Sequence, residues 1–323
     1  MTASVNSAPK IEEAATARGP GAPLTKLSGW GANLRADCVL VEPETPAQVA
    51  ARLDRQGSIA RGLGRSYGDP ALNAGGQVLG LKHMDRYLAF DAESGTLTCE
   101  AGVSLERIIQ DFAPRGWFPM ITPGTKFVTV GGCIANDVHG KAHHAQGCFS
   151  VCVDSFTTLL ASGEVVAASR TENSDLFWAT FGGMGLLGVL LTATIRLRKI
   201  ETTYFRKRSI AVRDLDHMLA TLDEQDQIFP YSVATLDVFA TGAQLGRGAV
   251  TVGDHASLAE LPQALAGSPL RISGKPKLTV PFELPEFLLN RLSLRVVNAA
   301  IMALQTSKKE LDHYEGFFYP LDM

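Results

Sequence analysis

Arg61-Gly62-Leu63-Gly64-Arg65-Ser66-Tyr67-Gly68-Asp69 is the stretch on which the reading of this chain turns. It follows a short strand candidate, Ser58–Arg61, and places three glycines and a serine within nine residues. Glycine lets the backbone take positive φ and approach a neighbour closely, so successive N–H groups can turn inward around an anion. Arg61 and Arg65 offer added positive charge. A tight turn that needs positive φ accounts for the same residues, and the loop alone leaves both readings open.

Toward the C-terminus two more glycine-rich sites follow closely. Pro123-Gly124-Thr125 precedes Thr129-Val130-Gly131-Gly132, and Asn136-Asp137-Val138-His139-Gly140-Lys141 comes next. Such a succession exposes backbone donors suited to a phosphate or to the edge of an aromatic ring. His139, His143 and His144 suggest a metal cluster, but only Asp137 stands at a suitable spacing and adjacent histidines converge poorly, so no metal is expected. A structural role for His139 stays open beside the functional one. Further on, Gly183, Gly185 and Gly188 spell G-x-G-x-x-G. Helix-like Leu176-Phe177-Trp178 precedes them, a β-rich run follows, and Arg206-Lys207-Arg208 stands near the acid's place, so a Rossmann site is excluded. Cys148 and Cys152 read as small buried hydrophobes in preference to a redox pair. No P-loop occurs, which removes the anchor for an NTPase reading.

Around these motifs the periodicity predicts an α+β fold. Strands are expected at Cys38–Val41, Ser58–Arg61 and Val189–Leu197, with hairpins pairing Tyr87–Phe90 with Thr96–Glu100 and Phe156–Leu160 with Glu164–Ala168. Helices are expected after Pro46, after a Ser104 cap with Leu105, Ile108, Ile109 and Phe112 on one face, and near Leu176–Thr180. Glycine thins out after about Ile200, which sets the expected divisions: a flexible tail over 1–27, one domain over 28–199 and a second over 200–323.

The 323 residues are 46% apolar with a formal charge of −3, which gives no electrostatic reason to expect a nucleic-acid partner. Five cysteines without a C-x-x-C pair favour reduced thiols and a cytoplasmic location. The longest nearly apolar run, Leu186–Ile195, is too short to span a bilayer, and Met1–Pro23 lacks the apolar core of a signal peptide.

Together, RGLGRSYGD (Arg61–Asp69), PGT with TVGG (Pro123–Thr125, Thr129–Gly132), HGKAHH (His139–His144) and LFWATFGGMGLLG (Leu176–Gly188) resemble the FAD-binding domain of the vanillyl-alcohol oxidase superfamily. Within it they resemble the family of flavin subunits of decaprenylphosphoryl-β-D-ribose 2′-epimerases. The resemblance runs from about Trp30, weakens after Ile200 and returns in Phe318–Met323. It implies FAD held by Ala60–Pro70 (Ala60, Arg61, Gly62, Leu63, Gly64, Arg65, Ser66, Tyr67, Gly68, Asp69, Pro70) as the pyrophosphate loop. Gly124, Thr129, Val130, Gly131, Gly132, Asn136, Asp137, Val138 and His139 would hold the ribityl chain and flavin, and Leu190 the adenine side. His139 and Lys141 are the implied catalytic residues, and Lys141, Phe318 and Leu321 line the implied substrate pocket.

Covalent members of the superfamily carry a flavin-linked histidine where this chain has Arg65, so noncovalent FAD is implied. A family tyrosine and tryptophan match Phe318 and Thr235 here. Family chains continue past the position of Met323 with a lysine near the flavin and a pocket cysteine, so 200–323 reads as an incomplete substrate domain. The implied reaction oxidises the 2′-hydroxyl of a polyprenylphosphoryl pentose to a ketone, the first half of a 2′-epimerisation in cell-wall arabinan precursor synthesis. The implied partners are that lipid sugar, an NADH-dependent ketoreductase subunit and, at its periphery, a membrane. A sugar-lactone oxidase of the same superfamily and a non-catalytic flavin-binding module are the alternatives.

Overall fold

The computed structural model describes residues 23–54, 57–272, 290–304, 307–320 and 322. Among the described residues three sheets carry the architecture, which is α+β as expected.

The first sheet has the order β1-β2-β4-β3, built from β1 (Thr25–Ser28), β2 (Arg35–Val41), β3 (Ser58–Arg61) and β4 (Gln77–Gly80). β4 lies between β2 and β3 and is parallel to both, while β1 is antiparallel to β2. Helix α1 (Pro46–Arg52) makes the crossover from β2 to β3. Thr45 caps it by accepting from the Gln48 N–H at 3.2 Å, and Pro46 opens it where a missing N–H costs nothing. β1 begins inside the stretch read as a tail. Leu27 packs against a cluster of Cys38, Ile59 and Val78, which gives the strand an apolar reason to pair. Residues 1–22 of that tail lie outside the described residues.

The second sheet is antiparallel and contains β5 (Tyr87–Asp91), β6 (Thr96–Glu100), β8 (Val153–Leu159), β9 (Val165–Ser169) and β10 (Val189–Lys199) in the order β5-β6-β10-β8-β9. The short β7 (Trp117–Pro119) pairs with the far end of β10. Ser104 accepts from the Arg107 N–H at 3.1 Å and starts α2 (Leu105–Phe112), whose Leu105, Ile108, Ile109 and Phe112 are all buried. These side chains join Leu97, Phe156, Ile195 and Phe177 of α5 (Ser174–Thr180) in the largest core, apart from Ile109, which faces the neighbouring cluster. Truncating a ring such as Phe112 to alanine should cost ~3–5 kcal/mol. Between α2 and α5 lie two one-turn-scale helices, α3 (Val130–Ala135) and α4 (His143–Gln146).

The third sheet follows in order β12-β13-β11-β14, from β11 (Tyr204–Val212), β12 (Tyr231–Leu236), β13 (Gly248–His255) and β14 (Lys308–His313), all antiparallel. Helix α6 (Leu215–Asp226) covers one face through Met218, which meets Val212, Val250 and Val252. The other face packs Phe205, Tyr231 and α9 (Tyr314–Phe318) against Phe118 of β7 in an aromatic cluster that joins it to the second sheet. Two peripheral helices, α7 (Gln263–Ala266) and α8 (Arg291–Leu304), complete the described chain.

Candidate functional site

Seen from the loops, the first and second sheets open around a cavity of about 540 Å³. Ala60 through Tyr67, with Pro70, form one wall. Gly124, Thr129, Gly131, Gly132, Asn136 and Val138 form another, and Leu190 of β10 contributes from the floor. Glycine leaves parts of the wall as bare backbone. At Gly124 an added Cβ would meet nothing within 4 Å, and at Gly185 only Ile59 Cδ1 at 3.8 Å, so bare main chain faces open space.

The loop after β3 keeps its donors free. Among the described residues, the N–H groups of Gly62 through Tyr67 find no protein acceptor. Gly64 holds φ +68, the conformation in which consecutive amides turn to one side. Gly62 packs so tightly on Thr129 that a Cβ would lie 3.1 Å from its Cγ2 and closer still to its hydroxyl. The two glycine-rich loops are thus braced against each other.

The two arginines divide their work. Arg61 turns beneath the loop, donating to Ser28 O at 2.6 Å and Ala71 O at 3.2 Å, and its burial lowers its pKa. Arg65 is exposed, lines the cavity, and donates to Leu63 O at 2.6 Å with its guanidinium 5.9 Å from the Phe127 ring. The anion-facing charge at this loop therefore belongs to Arg65.

Several expected residues stand just behind the wall. Gly68 and Asp69 follow the lining residues of the loop without joining them. Val130 is fully buried in the core, where it anchors α3. Asp137, at φ +41, accepts from the Ser150 N–H at 2.9 Å and Ser150 Oγ at 3.3 Å, which fixes the turn after α3. His139 is exposed, with its ring 5.2 Å from that of His143. Lys141 is turned toward the third sheet, where its ammonium donates to the Phe317 and Phe318 carbonyls. Burial, and then the nearby Lys207, push it down to about 8. Phe318 sits in the aromatic cluster at 2% exposure, against Phe118 and Phe205, and Leu321 lies outside the described residues. Thr235 is on β12, opposite Ala249.

Other lining residues carried no local signal. Trp30 meets the expected loop residue Tyr67 edge to face at 5.5 Å on the rim, Leu81 and Ala101 come from strand ends, and Asp322 arrives from the far end of the chain. Met184 and Gly185 also line the cavity. The G-x-G-x-x-G stretch therefore contributes to the site from a turn and not from a helix start. The five cysteines are free thiols, and burial pushes Cys152 up to about 12, which suits packing and not redox exchange.

Unpaired amides on a positive-φ loop, a wall of bare glycine backbone and room for a dinucleotide-sized ligand fit FAD. Such a cavity defines a flavin-dinucleotide-binding protein. The comparisons agree: residues 38–169 match the FAD binding domain family. The chain is 35% identical over 307 residues to decaprenylphosphoryl-beta-D-ribose oxidase of Mycolicibacterium smegmatis, covering 92% of this chain and 67% of that one. It is 39% identical over 191 residues to the uncharacterized protein in the mprA 5' region of Streptomyces coelicolor, covering 59% of this chain and 51% of that one. A shorter match, 30% over 128 residues, reaches D-lactate dehydrogenase of Anaerostipes hadrus, covering 38% of this chain and 27% of that one. The chain belongs to the family of FAD-dependent oxidoreductases that includes decaprenylphosphoryl-beta-D-ribose oxidase. It spans about two thirds of that oxidase's length and about half of the Streptomyces protein's.

Proposed function

We propose that this protein oxidises the 2′-hydroxyl of a polyprenylphosphoryl pentose to a ketone, with noncovalent FAD as the electron acceptor. FAD supplies the two-electron redox chemistry; the chain supplies binding, orientation and electrostatics. One observation carries the choice of substrate. Similarity to the dehydrogenase is confined to 128 residues, whereas similarity to the oxidase extends over 307 and so takes in the third sheet. Shared FAD loops explain the former; a shared substrate side is the simplest account of the latter.

In this reading residues 28–199 hold the cofactor and residues 200–323 face the substrate. His139, one residue beyond the cavity-lining Val138, orients the reacting hydroxyl. Lys141 acts by closing the wall between the domains, through its bonds to the Phe317 and Phe318 carbonyls. An NADH-dependent ketoreductase would consume the ketone. A lipid surface would present the substrate, and among the described residues no helix is long and apolar enough to cross a membrane. The apolar outward side chains of α8, with Leu292 at 74% exposure, support peripheral contact with such a surface.

Anaerobic titration of the holoprotein with a polyprenylphosphoryl ribose tests the proposal. Stoichiometric bleaching of the flavin absorption is expected. Bleaching by a sugar lactone but not by the lipid sugar would move the assignment to a lactone oxidase, and retained FAD that neither reduces would make the chain a binding module.

A further inference from the structure

The cavity wall contains a carboxylate that comes from nearly two hundred residues away. Asp322 lines the cavity beside Pro123, Gly124 and Thr125. Its Oδ2 accepts from Thr125 Oγ1 at 3.0 Å and from the Lys126 backbone N–H at 2.9 Å. Thr125 Oγ1 in turn accepts from the Phe127 N–H at 3.2 Å, so one carboxylate oxygen organises three consecutive residues.

Asp322 is itself held in place. Its N–H donates to Tyr319 O at 3.1 Å, and the Tyr319 N–H donates to Glu315 O at 2.9 Å. Tyr319 is buried at 1% exposure, Glu315 pairs with Lys126, and the Tyr314 N–H donates to Thr203 O at 2.9 Å. Tyr314 is thus fastened to the third sheet and Asp322 to the loop before α3. That loop has few restraints of its own: the Gly124 amide finds no acceptor among the described residues, and its Cα faces open cavity.

We propose that Asp322 is a positioning residue for FAD. Its carboxylate fixes the Pro123–Thr125 loop at the cavity wall, and its charge at that wall would weigh on the reduction potential of FAD bound there. A hydrogen bond to a charged group contributes ~1.5–3 kcal/mol, so losing the carboxylate should weaken FAD by roughly tenfold or more. Reduced FAD carries added negative charge, which a neighbouring carboxylate opposes, so removing that charge should raise the potential.

Asp322→Ala and Asp322→Asn separate the two effects. Each variant is reconstituted with FAD, and its Kd is read from flavin fluorescence and its midpoint potential from dye-coupled titration. Asp322→Ala should raise Kd about tenfold and shift the bound-flavin spectrum. Asp322→Asn keeps an oxygen that accepts the same bonds, so its Kd should stay within about threefold of wild type while its potential moves positive. An unchanged Kd in Asp322→Ala, an Asn variant as weak as the Ala variant, or an unmoved potential in Asp322→Asn would each overturn the proposal.

Discussion

Replacing Gly64 by valine tests whether the loop after β3 is a cofactor cradle. Gly64 sits at φ +68, where an L-residue costs about 1–2 kcal/mol and a β-branched one more. Its Cβ would fall on the Arg61 guanidinium, 2.8 Å from Cζ. Arg61 cannot yield without losing its bonds to Ser28 O and Ala71 O, and a bond from a charged donor is worth ~1.5–3 kcal/mol. Backbone strain plus one such bond comes to roughly 2.5–5 kcal/mol, or about two to three and a half orders of magnitude in FAD affinity if the loop moves to relieve it. Part of this will appear as lost stability, so a control is needed. At Gly124 an added Cβ meets no protein atom within 4 Å, so Gly124→Val should leave unfolding of the apoprotein within about 0.5 kcal/mol of wild type. It should still lower FAD occupancy, because its side chain enters the cavity. Flavin content after purification and urea unfolding of the apoproteins give both quantities. If Gly64→Val retains FAD like wild type, the loop is an ordinary turn and the cradle argument fails. Gly132→Val is the milder probe, since the Cβ there sits 3.1 Å from Thr129 Oγ1 alone.

Three further outcomes are expected. Acid or heat denaturation should release FAD into the supernatant, because Arg65 occupies the place of the attachment histidine; flavin in the pellet would contradict a noncovalent site. His255, buried among Phe118, Phe205, Tyr231 and Phe318, is pushed down to about 3, first by burial and then by Arg198. The unfolded chain then binds one more proton than the folded one between about pH 3 and 6.5, so stability should fall with acidity there by up to ~1.4 kcal/mol per pH unit. His255→Phe should flatten that slope, and an identical slope in the variant would refute the assignment. Gly140→Ala places a Cβ on the Thr122 carbonyl, 2.9 Å from its carbon, and should cost at least about 1–3 kcal/mol in urea unfolding; a neutral effect would show that the turn can shift.

The elements that the sequence revealed are those with local causes. α2 was legible because its cap and its apolar stripe lie within nine residues, and the hairpin at Gly95 because that glycine takes φ +74 between two alternating strands. β4 escaped notice because its four residues are strand-forming only between β2 and β3, whose partners lie 19 to 38 positions away. β7, three residues ending in proline, depends likewise on β10. At the site, the glycine loops could be read because close backbone approach is written in composition. The directions of long side chains could not. Arg61 finds its acceptor 33 residues upstream and Lys141 finds its own 176 residues downstream, so charge that the motif offered to a ligand is spent on the fold. Asp322 is the converse case, a residue without local context that distance in sequence hid.

Strand β10 ties the cofactor cavity to the third sheet. Its eleven residues extend over about 36 Å. One end supplies Leu190 to the cofactor cavity, and the other projects Arg198 to Asp254 at 3.2 Å and Tyr231 Oη at 2.8 Å in the third sheet. Pairing with β6, β7 and β8 leaves its amides almost no route to water short of dismantling the second sheet. In amide hydrogen exchange this strand should be the last to acquire deuterium, with protection that approaches the global unfolding free energy. The cofactor floor and the anchor of the neighbouring sheet would then belong to one cooperative unit, and neither could melt locally while the other stayed native.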